Sequence, residues 1–85
     1  MAELIHEIPN PFGGPDGALY VVRIVAAERP DGTWAGWLEF RPAGGPIRRT
    51  ERETSQPNRN AVAYWAAGLE PIYLEGAFER SFVEL

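Results

Sequence analysis

The chain has 85 residues, 45% of them hydrophobic and 24% charged, with a formal net charge of −4; these proportions fit one globular domain and exclude a disordered chain. Cysteine is absent, which excludes a disulfide framework, a thiolate nucleophile and a thiolate metal site, and no spacing of the remaining residues marks a metal or cofactor site. The N-terminal MAELIHEI has no basic region followed by a long apolar run, and no stretch approaches ~18 uninterrupted apolar residues, so the expected setting is the cytoplasm, without membrane contact.

Residues 1–17 divide into a short mixed segment, Glu3–Ile8, and a breaker-rich run from Pro9 to Gly17. Prolines and glycines at that density oppose a helix or a central strand, so an irregular N-terminal arm is expected, with the folded domain occupying residues 18–85. His6, the only histidine, lies in this arm without a partner and reads as a solvated side chain.

Ala18–Arg29 is the longest strand. Tyr20, Val22, Ile24 and Ala26 alternate with Leu19, Val21, Val25 and Ala27, and the scarcity of charge on either face implies a central position. Pro30-Asp31-Gly32 supplies a turn former and a glycine for positive φ, the signature of a three- to five-residue hairpin loop. Thr33–Arg41 then returns antiparallel, with Trp34, Gly36, Leu38 and Phe40 on the face toward a helix. Trp37 falls on the opposite face, either in a second small cluster with Leu19 and Val21 or as an exposed aromatic. After the turn Pro42–Pro46, Ile47–Thr54 has one strongly apolar residue among alternating charges, as an exposed edge strand paired to its predecessor would.

One helix follows. Thr54 and Ser55 offer N-cap hydroxyls, Pro57 suits a first turn, and Gly68 closes the helix as a left-handed residue with Leu69 folding back. Val62, Trp65, Ala66 and Leu69 share one face, and the expected heart of the core is Trp34 of the sheet against Trp65 of the helix. Pro71–Phe82 alternates as a strand, yet Leu74, Phe78, Phe82 and Leu85 with Ala77 make an equally good helical stripe. The strand is preferred because the first strand needs a neighbour on its free edge. The expected fold class is therefore α+β: an antiparallel meander of three strands, a helix on one face, and a fourth, C-terminal strand beside the first.

Catalytic sets are scarce. Ser55 and Ser81 have no histidine near them in sequence, and Glu51 with Glu53, flanked by Arg49 and Arg52, reads as a solvated ladder rather than an acid–base pair. The distinctive feature is charge distribution. Arg41 to Arg59 holds five arginines against Glu51 and Glu53, net +3, while the rest of the chain carries three arginines against ten acids, net −7. Arg48, Arg49, Arg52 and Arg59, with Trp37 and Tyr64 beside them, form the candidate interaction surface; all basic residues being arginine is what GC-rich coding gives and carries no further weight. The expected function is a non-enzymatic protein-interaction module using this edge strand and helix start, with an unidentified protein partner, as a monomer or weak homodimer. The alternative is weak binding of single-stranded nucleic acid by Arg48, Arg52 and Arg59 with neighbouring aromatics, which the net negative charge disfavours.

The segments RPDGTWAGWLEF, RETSQPNR and YWAAGLEPIYLEGAFER resemble a small conserved bacterial protein family to which no activity is attached. The resemblance covers Tyr20 to Arg80 and is carried by Gln56-Pro57-Asn58-Arg59 and by Trp65 with Gly68-Leu69-Glu70-Pro71. It implies a single compact domain and no chemistry.

Overall fold

The computed structural model describes all 85 residues as an α+β fold. In chain order the elements are β1 (Glu3–Glu7), β2 (Phe12–Gly13), β3 (Leu19–Glu28), β4 (Trp34–Pro42), β5 (Arg48–Arg49), β6 (Thr54–Gln56), α1 (Arg59–Ala67), α2 (Pro71–Arg80) and β7 (Phe82–Val83). The β3–β4 hairpin is the centre of an antiparallel sheet of order β1-β3-β4-β5-β7, with β2 on β3 and β6 on β4. Its loop turns as the sequence requires: Gly32 has φ 88°, and Asp31 Oδ1 accepts from the Thr33 amide at 2.9 Å and from the Thr33 hydroxyl at 2.6 Å.

Both flanks of the hairpin are filled by chain that runs antiparallel along it. On β3, Glu3 pairs with Ala26 at one end and Gly13 with Leu19 at the other, and the Ile8 amide donates to Val22 O between them. The expectation of an irregular arm over residues 1–17 is thus corrected: proline is tolerated at a sheet edge because its missing N–H faces away from the ladder, so Pro9 and Pro11 interrupt the pairing without ending it. On β4, Arg48–Arg49 pair with Phe40 and Glu39, and Thr54–Gln56 with Gly36 to Trp34. Between them Thr50 is fully buried; its amide donates to Leu38 O while its hydroxyl accepts from the Leu38 amide, so one side chain closes the ladder where the strand is interrupted. Nor is β5 an exposed edge, since Val83 and Phe82 pair with Arg48 and Arg49 and cover it.

Two helices cover one face. Asn58, not Thr54 or Ser55, caps α1, its side-chain oxygen accepting from the Ala61 amide at 2.8 Å, while Thr54 and Ser55 lie in β6. Gly68 ends the helix at φ −93°, without the left-handed turn that its type allows. Gly36 lets α1 approach: a Cβ there would lie 3.0 Å from Thr54 Cγ2 and 3.4 Å from Val62 Cγ1. Residues 71–80 are a helix rather than the expected fourth strand. Pro71 opens α2 and Leu74, Ala77 and Phe78 bury its inner stripe, while the vacancy on β3 that argued for a strand is already taken by β1 and β2.

The core is aromatic at one end and aliphatic at the other. Phe12, Tyr20, Phe40 and Phe78 meet with ring centroids 5.1–6.2 Å apart, and Val22, Ile24, Leu38 and Val62 are fully buried beside them. Trp34 and Trp65 are only half-buried at its margin, and Trp65 packs edge-on against Tyr73 at 5.8 Å. The centre expected from the two tryptophans therefore belongs to four other rings, one of them from the N-terminal segment.

Candidate interaction surface

A strand in this sheet shows every second residue to each side, and the helices take only one side. The other side is bare. Register places Leu4 opposite Val25 and Val25 opposite Trp37 in one transverse row. The next row runs Glu7, Arg23, Glu39, Arg49 and Phe82 across β1, β3, β4, β5 and β7. The charges alternate from strand to strand, which is the arrangement that stabilises cross-strand neighbours. Arg23 Nε contacts Glu7 Oε1 at 2.9 Å, and Arg41, one row further on, holds Glu39 Oε1 at the same distance. Around this ladder Leu4 (50%), Leu19 (64%), Val21 (41%) and Phe82 (41%) are exposed. Val25 is buried without belonging to the main core, shielded by its Leu4 and Trp37 neighbours, so the second cluster that Trp37 joins is with these rather than with Leu19 and Val21.

The arginines singled out in the sequence do not form one cluster. Arg48 turns to the helix side, where its Nε donates to Ser81 Oγ and its Nη2 to Ser81 O, both at 2.9 Å, and its guanidinium lies 4.8 Å from the Phe78 ring centroid. It ties the end of α2 to the sheet. Arg49 lies on the bare side, 4.8 Å from the Trp37 ring centroid and 3.7 Å from Glu84 Oε2. Beneath it the Trp37 indole N–H is buried without a hydrogen-bond partner. Arg52 is exposed and outside every ion pair, whereas Arg59 pairs with Glu3 at 2.9 Å on β1, at the far edge of the sheet from β5. Tyr64 is 86% exposed on α1. The run from Arg48 to Arg59 is thus divided between two edges and two faces.

The serines and the histidine are equally separated. His6 sits on β1, Ser55 on β6 bonded to Arg29 Nη2 at 2.9 Å, and Ser81 is buried with its hydroxyl donating to Phe78 O at 2.5 Å. No three His, Asp or Glu side chains converge as metal ligands do.

One polar constellation had no sequence signal. The sequence pattern places Glu53 in a solvated ladder with Glu51, but its side chain is 8% exposed and joins the β5–β6 connection to α2. Tyr73 donates its hydroxyl to Glu53 Oε1 at 2.5 Å, and Arg80 donates Nη2 to Oε1 at 2.7 Å and Nε to Oε2 at 3.1 Å, a fork-to-fork pairing. Burial pushes the Glu53 carboxyl up, but the bonds from Arg80 and Tyr73 outweigh it and hold its pKa below the usual carboxylate range. Burial, followed by the bond to Glu53, pushes the Tyr73 phenol up to about 12. A carboxylate engaged on both oxygens in this way is a clasp between the β5–β6 connection and α2.

Comparison with family models, curated proteins and solved structures gave no match.

Proposed function

We propose that the chain is a non-enzymatic protein-interaction module of the cytoplasm that works through the bare side of its sheet rather than through an arginine-rich edge. The observation that carries this is the one-sided helix layer, which leaves Leu4, Leu19, Val21 and Phe82 in water around a charged ladder. Large apolar residues left exposed together on one face of a small domain mark a contact surface. The arginine-rich edge is less suited because β7 covers it and Arg48 is held by Ser81 on the helix side. No helix is long and apolar enough to cross a membrane.

A photo-crosslinking residue tests this when placed at Val21, 41% exposed on the bare side, and in a control at Tyr64, 86% exposed on α1. Protein adducts are expected from position 21 and not from 64; equal yields from both would remove the assignment to this side. Nucleic-acid binding predicts saturable, salt-sensitive binding of poly-dT that Arg52→Ala weakens, and the expected result is no binding.

A further inference from the structure

Resting on the assignment of the bare side as the contact surface, we propose that its occupant is a second copy of this chain, packed face to face about a two-fold axis that runs along the strands between β3 and β4. The ladder row supplies the argument. Read across the sheet it is Glu7, Arg23, Glu39, Arg49, a sequence of charges − + − +. A two-fold axis lying between the sheets and parallel to the strands reverses this row onto itself. Glu7 then faces Arg49 of the second copy, and Arg23 faces Glu39 of the second copy. Reversal of − + − + gives + − + −, so every carboxylate meets a guanidinium. A row of one sign, or one symmetric about its middle such as + − − +, would set like charges together. The interface is isologous, as closed dimers require, and the strands of the two sheets stay aligned, one of the two ways in which sheets stack.

Net charge points the same way. The chain carries −4, yet this side sets Arg23, Arg41 and Arg49 against Glu7, Glu39 and the Glu84 paired to Arg49. Two acidic molecules meet here without like charge at the contact itself, because the surplus acids lie elsewhere. The seven strands hold 33 residues, which at ~4.8 by ~3.3 Å each give a face of about 500 Å², the size of a weak or transient interface rather than the ~800 Å² per partner of a standard one. The molecule measures 39 × 27 × 18 Å, its short dimension being that of one sheet and one helix layer, so pairing of the bare sides makes a four-layer particle with helices outermost.

The test is a charge exchange. By sedimentation equilibrium the wild type is expected to run at twice its 9.5 kDa. Arg23→Glu sets Glu against Glu39 at two symmetric places, and Glu39→Arg sets Arg against Arg23; each variant alone is expected to self-associate about 100-fold more weakly. An equimolar mixture restores Glu against Arg at both places and is expected to return to the dimer mass, which a purely intrachain role for the ladder does not produce. Circular dichroism of each variant separates loss of pairing from loss of fold, and a hydrophobic-face variant, Val21→Glu, gives a second route to the monomer if either charge variant unfolds. A wild type that stays at 9.5 kDa at millimolar concentration overturns the proposal, as does a mixture that remains monomeric. In that case adducts from position 21 to a different protein would leave the contact surface standing with another occupant, and their absence would remove both.

Discussion

At the scale of single residues, the clasp of Glu53, Tyr73 and Arg80 sets how the protein answers to pH. Because the folded pKa of Glu53 is depressed, its contribution is complete above the ordinary carboxylate value of about 4.3 and is lost as pH falls through the lowered folded value. Because the folded pKa of Tyr73 is raised, its contribution is complete below about 10, the ordinary tyrosine value, and is lost as pH rises through about 12. Tyr73→Phe is expected to lower the urea midpoint at pH 7 by an amount equivalent to about 1–2 kcal/mol, the half-exposed Arg80 being partly screened, and to flatten the decline between pH 10 and 12. Glu53→Gln is expected to flatten the acid decline instead. A midpoint whose pH dependence is unchanged in both variants would show that the clasp does not bear on stability. Nothing in the sequence announced it, since Glu53 and Arg80 are 27 residues apart and a glutamate amid arginines on a polar segment looks solvated. Burial of that carboxylate depends on α2 lying across it, and α2 was expected to be a strand.

At the scale of elements, the β3–β4 hairpin and α1 were legible because local chemistry decides them: alternation, a Pro-Asp-Gly turn, and an apolar stripe closed by Gly68. The N-terminal segment was not. Density of proline and glycine describes the freedom of a chain by itself, while pairing along β3 and burial of Phe12 are contributions from residues far along the sequence. Phe12→Ala separates the two views. As part of a loose arm it would cost almost nothing; as a ring 5.4 Å from Phe40 and 5.5 Å from Phe78 it is expected to cost about 3–5 kcal/mol in denaturant melts. The same long-range pairing decides α2. A free edge on β3 favours a strand over Pro71–Phe82, but β1 and β2 fill that edge, and Leu74, Ala77 and Phe78 form the buried stripe of a helix instead.

At the scale of the whole molecule, the α+β class and a helix layer on one face followed from the order of the elements. The alternating ladder did not, because it exists only once β1 is paired: Glu7 lay in the supposed arm, and Arg23, Glu39 and Arg49 without it show no end to the row. The arginine surplus was visible in the sequence and misleading as a unit, since consecutive strand residues point to opposite faces and so Arg48 and Arg49 part company.

Both flanking segments form their ladders on the central hairpin, one on β3 and the other on β4, so the hairpin is the template on which each docks. Closure of the Arg29–Thr33 loop is accordingly expected to limit the rate of folding. Gly32→Ala strains only the backbone there, because φ is 88° and no atom lies within 4 Å of the added Cβ. The loss of about 1 kcal/mol is expected to appear almost wholly as slower refolding, with the unfolding arm of the chevron left where it was.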